Sequence, residues 1–241
     1  MSMTREAFER IRDAIVSGGL ELGEHLSESA IAKALGMSKA PVRAAFMELR
    51  DKGLVTVVPQ SGTYVFSPSA EDVRTMSEFR ALLEDRALRE AHRLRRESML
   101  ARLGAAVERM ETALPARDWD AYRHADNAYH MGFLEECGNP YILRAYHLTS
   151  SMLEALRVRL QGGVGNFRER SFHEHVEMVQ LLRADRLDEA AAVLRDHILI
   201  INEWVKARHL RADRATRKQK GEGRDYAGIF ARPRWSEDVL A

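Results

Sequence analysis

Four side chains in the second half of this 241-residue sequence have the chemistry of metal ligands. Asp126 and His130 are one helical turn apart, so on a helix a carboxylate and an imidazole project from one face. His175 and His197 fall on later helical stretches separated by a turn around Ala184-Asp185-Arg186. Converging inside a bundle, the four offer three nitrogens and one oxygen, a set suited to zinc, nickel or iron(II). Spacing alone leaves a second reading open, in which these are ordinary core or surface residues among the nine histidines of the chain. His124, His147 and His173 lie near these positions and read as supporting or surface groups. Arg80 and Glu84, also four apart, make either a helix ion pair or, through Arg80, a grip for an anionic ligand.

A second constellation lies near the N-terminus. Ser38 is an N-cap candidate, and Pro41 falls in the first helical turn, where a missing N–H has no intrahelical partner to lose. Val42, Ala45, Phe46 and Leu49 then recur at i, i+3, i+4 and i+7, which makes them the buried stripe and leaves Lys39, Arg43, Met47 and Arg50 nearer the open face. Lys39 and Arg43 share that face, and an arginine can grip a guanine edge or a phosphate with two parallel hydrogen bonds.

The elements that must carry these groups follow from periodicity and turn signals. Phe8, Ile11, Ala14 and Ile15 predict a first helix ended by Gly18-Gly19; Ser27 caps a second through Ile31 and Leu35, and Gly36 turns the chain out of it. After the third helix and Gly53, Leu54–Val58 and Thr63–Phe66 are β-prone runs around Pro59-Gln60-Ser61-Gly62, a two-stranded ribbon with a polar tip. Three helices and a hairpin make a winged helix-turn-helix, in which the second helix of the pair fits the major groove and the wing reaches an adjacent one. Ser67-Pro68-Ser69-Ala70 marks a boundary, and from Glu71 the pattern is helical throughout. Val73, Met76, Phe79, Leu82 and Leu83 form one apolar stripe, Leu100, Leu103, Val107 and Met110 a second, and Ile198, Ile201 and Val205 a late one, with turns at Leu114-Pro115, Gly138-Asn139-Pro140 and Gly162-Gly163. The expected fold is mainly α: a winged helix-turn-helix over 1–68, an all-helical antiparallel bundle over 71–210, and a basic, flexible tail over 211–241 with no apolar stripe to bury.

Composition agrees with an ordinary globular chain. Apolar residues make up 45% and charged residues 30%, and no apolar run is long enough to span a membrane. The charged start of the chain is unlike a signal peptide, and the single cysteine, Cys137, suits a reducing compartment, so the expected location is the cytoplasm. The formal net charge is +1, and residues 1–70 carry eight basic and eight acidic side chains, whereas the tail is net positive.

Leu26-Ser27-Glu28, Leu35-Gly36-Met37-Ser38-Lys39-Ala40-Pro41-Val42-Arg43, Leu49 and Gly53-Leu54-Val55 together resemble the DNA-binding domain of the GntR family of regulators. Phe79-Arg80 with Glu84, Asp126 with His130, Gly138-Asn139-Pro140, and Glu174-His175 followed by His197-Ile198 resemble the FadR-type branch, whose FCD-like ligand domain is an all-helical and often metal-containing bundle. The resemblance implies operator contacts from Ser38, Lys39 and Arg43 and from the wing at Gln60 and Gly62. It also implies that Asp126, His130, His175 and His197 hold a divalent transition metal, because these positions match the family's ligand pattern. Lysine stands at 39 where members usually carry arginine, and a point charge discriminates bases less sharply.

The reading that follows is a ligand-responsive, homodimeric regulator, a repressor of double-stranded operator DNA, whose effector is a small organic acid held at the metal and Arg80. One alternative is a metal-dependent hydrolase with an appended helix-turn-helix, for which Glu174 is the one available general base. Another is a DNA-binding dimer whose bundle serves assembly alone.

Overall fold

The computed structural model describes residues 1–161, 167–212 and 224–231, with side chains described through residue 159, over 167–202 and over 224–231. Contacts divide the chain into two compact units: residues 1–68, 149–159 and those from 211 onward form one, and residues 69–148 and 160–210 the other.

In the first unit, α1 (Met3–Val16) precedes the short strand β1 (His25–Leu26), then α2 (Glu28–Leu35) and α3 (Lys39–Asp51). The Ser27 hydroxyl accepts from Ala30 N–H at the start of α2, and Gly36, with φ 68°, closes the helix in the left-handed conformation. Strands β2 (Val55–Val58) and β3 (Gly62–Val65) form the wing. The expected hairpin is one strand short: β1 pairs with the free edge of β3, giving an antiparallel sheet in the order β1-β3-β2, with His25 opposite Tyr64 and Leu26 opposite Thr63. The core is the predicted one, with Phe8, Ile11, Ile15, Ile31, Val42, Phe46 and Leu49 buried. Residues 149–159, expected in the second domain, pack here instead. Gly53 shows why that position is glycine: its φ is 71°, and a Cβ would fall 2.8 Å from Met152 Sδ.

The second unit begins with α4 (Ala70–Ala116), opened by a capping box in which Ser69 and Asp72 satisfy each other's backbone N–H. The helix is kinked at Arg95, carries Pro115 in its last turn and ends at Arg117 in the left-handed conformation, so the turn expected at Leu114-Pro115 lies two residues later. Then come α5 (Trp119–Glu136), α6 (Pro140–Gln161), α7 (Phe167–Arg183) and α8 (Leu187–Ala212). Asn139 Oδ1 accepts from Tyr141 N–H at the start of α6. Both α5 and α7 pack against α4 around Leu88, Met99, Leu103, Met110, Tyr129, Phe133, Leu182 and Ile198. The stripe read on the first part of α4 needs correction. Val73 is buried, but Phe79 and Leu82 are exposed, and the inward face carries Ser77, Arg80 and Glu84. The expected turn at Gly162-Gly163 and the side chain of Val205 lie outside the described residues.

The tail also departs from expectation. Residues 226–230 form α9 (Tyr226–Phe230), with Tyr226 and Phe230 buried in the first unit. Spaced four apart, they were too short a pattern to read as a stripe. No helix among the described residues is long and apolar enough to cross a membrane.

Candidate metal centre and nucleic-acid interface

Packing fixes which face α3 presents. With Val42, Ala45, Phe46 and Leu49 buried, Lys39, Arg43, Met47 and Arg50 all lie on the exposed side. Ser38 occupies the cap position, but its hydroxyl makes no capping hydrogen bond. Arg43 carries a partner that the sequence did not signal: its Nε and Nη2 donate to Oε2 and Oε1 of Glu28 at 3.0 and 2.9 Å. Fifteen residues separate the two, beyond any helical periodicity. An exposed pair of this kind contributes little net stability, so the guanidinium can exchange Glu28 for an acceptor on DNA at small cost. At the wing tip Gln60 is exposed, with φ 61°. Gly62 has a packing role there, since a Cβ would lie 2.5 Å from His25 Nε2.

In the second unit the structure brings Asp126, His130, His175 and His197 together. All four are buried, and one potential ligand atom from each lies within 4.8 Å of the others. Asp126 and His130 come from one face of α5, His175 from α7 and His197 from α8. The imidazole rings crowd one point: centroids are 5.3 Å apart for His130 and His197, 4.5 Å for His175 and His197, and 5.4 Å for His130 and His175. Tyr129, buried beside them, packs tilted against His175 at 4.3 Å between ring centroids and donates its hydroxyl to the His175 carbonyl.

Two glutamates orient the imidazoles. Glu84 Oε2 lies 2.9 Å from His130 Nδ1, and Glu174 Oε2 lies 2.8 Å from His197 Nδ1. With a proton on Nδ1 facing each carboxylate, Nε2 is left as the electron-pair donor, the arrangement by which such carboxylates set tautomer and ring angle in metal sites. Sequence reading assigned Glu84 to an ion pair and Glu174 to possible base catalysis; only the folded chain shows that each faces a histidine from another helix.

Glu84 also binds Arg80. Arg80 Nε donates to Glu84 Oε1 at 2.5 Å, with both side chains buried. Burial by itself would lower the guanidinium's pKa; the neighbouring Glu84, Tyr146 and Asp126 reverse that and raise it, so Arg80 remains charged. Its buried Nη2 has no hydrogen-bond partner among the described residues. A buried guanidinium with a spare donor beside three imidazoles and a carboxylate has the chemistry to donate to an anionic oxygen. Glu174 likewise stays ionised: burial would raise its pKa, but hydrogen bonds from His197 and Arg170 lower it. His147 and His173 are exposed, while His124 is half-buried beside Arg123.

The FCD domain model matches residues 75–199, more than half the chain, and the model for bacterial regulatory proteins of the gntR family matches residues 3–65. The chain belongs to the GntR family of bacterial regulators. An HTH-type transcriptional regulator from the TAR-I ttuE-ttuC' intergenic region of Agrobacterium vitis is 32% identical over 52% of this chain and 74% of its own. The transcriptional repressor RspR of Escherichia coli is 28% identical over 54% of this chain but only 57% of its own, and the gluconate operon transcriptional repressor of Bacillus subtilis is 26% identical over 74% of each. Among solved structures, a transcriptional regulator GntR from Rhodococcus sp. RHA1 superposes with a TM-score of 0.74 at 22% identity, covering 86% of this chain and 99% of that one, which shows the shared fold. The fold is therefore the expected winged helix-turn-helix followed by a helical domain, and the protein is a DNA-binding transcription regulator. Families and relatives alike are regulators and not enzymes, which leaves the hydrolase alternative without support.

Competition between the protein and a chelator for zinc tests the buried cluster. His175→Ala or His197→Ala should abolish tight binding, and Glu84→Gln or Glu174→Gln should weaken it about 10- to 100-fold by loosening an imidazole. Wild-type affinity in the histidine variants would remove the cluster as a metal centre.

Proposed function

We propose that this regulator is a dimeric repressor released from its operator by a small organic acid, bound with one carboxylate oxygen on a divalent metal and the rest on Arg80. The observation that carries this reading is the juxtaposition of the buried Asp126, His130, His175 and His197 with the spare Nη2 of Arg80, which is joined to them through Glu84. Zinc, nickel and iron(II) all suit three imidazole nitrogens and one carboxylate. Such a set leaves a divalent ion with net positive charge, able to take an anionic oxygen in place of water. The protein's own part is to hold the imidazoles through Glu84 and Glu174, to supply a charged donor from Arg80, and to shield the cluster with Tyr129 and Tyr146, both buried. A relative whose name ties it to a gluconate operon supports a sugar acid as one member of the effector class.

DNA binding falls to Ser38, Lys39 and Arg43 on α3 and to the wing at Gln60 and Gly62, in the cytoplasm where the operator lies. Two recognition helices on a two-fold axis read two half-sites, so a ligand that favours one arrangement of the dimer alters operator affinity by population shift. Exposed apolar side chains available to a second copy include Leu82 on α4, 69% exposed, and Tyr141 and Leu148 on α6, 74% and 67% exposed.

Two experiments test this reading. In calorimetry of zinc-loaded protein against a panel of sugar acids, hydroxy acids and dicarboxylates, one class should bind well, and removal of zinc or Arg80→Ala should weaken it. Tightest binding by an uncharged compound, or equal binding without metal, contradicts the model. On the DNA side, Arg43→Ala should weaken binding to operator by about 1–3 kcal/mol with fold and dimer intact, and Gln60→Ala should do less. Unchanged affinity removes Arg43 from the interface.

A further inference from the structure

The segment that ends the described chain grips the part of the winged helix from which the wing is hung. Asp225 caps α9 by accepting from Gly228 N–H at 3.1 Å. Tyr226 and Phe230, parallel at 6.3 Å between centroids, are both buried where the helix packs on α1 and α2. Polar contacts fix its placement at both ends. The Arg224 guanidinium donates to the Gly19 carbonyl at 2.8 Å and pairs with Glu24, while Arg10 of α1 donates to the Phe230 carbonyl at 2.8 Å and covers the Phe230 ring. Ile229 closes on Gly19, where a Cβ would meet its Cγ2 at 3.2 Å.

The contact with the most consequence is at β1. Tyr226 Oη donates to the His25 carbonyl at 3.2 Å. Burial raises the pKa of this phenol, which keeps the donating proton in place. His25 is one of only two residues in β1, too short a strand to hold its own position. Its ring in turn packs edge-on at 5.1 Å against Tyr64 of the wing and fills the space that Gly62 leaves open. The Tyr64 hydroxyl then reaches Ser61 at the wing tip, 2.8 Å away. A continuous line of packed groups thus runs from Tyr226 through His25 to the residues beside Gln60.

We propose that residues 224–231 are a C-terminal clasp that sets the position of the wing against DNA, with Tyr226 as its positioning residue acting through His25. In chain order the clasp comes after α8, the helix that carries His197. It touches no base itself. Its effect is to hold β1, and with it the β3 edge, in the register that presents Gln60 and Gly62.

The test uses the full-length protein and a duplex selected from a random-sequence library by the wild type. Tyr226→Phe removes the hydroxyl alone; Tyr226→Ala with Phe230→Ala releases the segment; Arg224→Gln removes one charge. Affinity should fall about 3- to 10-fold in Tyr226→Phe, the scale of one lost positioning hydrogen bond, and further in the double variant. Hydroxyl-radical footprinting should show protection lost on the wing side of each half-site and kept where α3 lies, with zinc affinity unchanged. Three outcomes overturn the proposal: wild-type affinity and footprint in the double variant, protection fading on both sides together, or a full loss reproduced by Arg224→Gln and erased by salt. The last would mark simple phosphate attraction in place of positioning.

Discussion

The buried carboxylate of Glu84 is the constraint around which the second unit is arranged. It lies at 0% exposure with one oxygen on Arg80 and the other on His130, so one helical turn of α4 and the middle of α5 are tied to one charge. An ionised carboxylate taken out of water costs several kcal/mol unless its lone pairs are filled. That need explains the rotation of α4. Arg80 and Glu84 face inward because each makes the other's burial tolerable, and Phe79 and Leu82, one and two positions away, are thereby turned outward.

Charge balance at this centre favours a cation. The buried Asp126 and Glu84 and the half-buried Glu174 bring three carboxylates to the cluster, against the buried guanidinium of Arg80 and, at its edge, that of Arg170 on Glu174. A divalent ion held by these residues would offset the excess and would itself attract an anion. The two orienting glutamates belong to α4 and α7, while the ligands they orient belong to α5 and α8. The positions of these groups therefore depend on how four helices pack, and a small change in that packing would shift every group that could hold a metal at once. On the proposed reading, this is the physical route by which an acid and the helix arrangement would influence each other.

Much of this was legible in the sequence, for identifiable reasons. The winged helix rests on strong local signals: Ser27 and Gly36 bound α2, Pro41 marks the first turn of α3, and Val42, Ala45, Phe46 and Leu49 fix its face. Asp126 and His130 were readable as a pair because four residues make one turn, but their meeting with His175 and His197 depends on tertiary packing, and only family resemblance joined them beforehand. The misread stripe on α4 came from assuming that apolar residues set the buried face, when a polar bridge sets it instead. Strand β1 escaped because two residues show no alternation. The α9 helix escaped because Tyr226, Ile229 and Phe230 make only one short turn in a basic, polar stretch, and the partners of Tyr226 and Phe230, His25 and Arg10, are some two hundred residues away.

The central claim is that acid at the metal and operator at the winged helix are coupled through one protein, and such coupling must be reciprocal. The most direct measurement is the calorimetric affinity of the zinc-loaded protein for its preferred acid, first free and then saturated with operator duplex. The account predicts weaker acid binding on DNA, by the same factor by which the acid weakens operator binding. Equal acid affinity in the two states would contradict it.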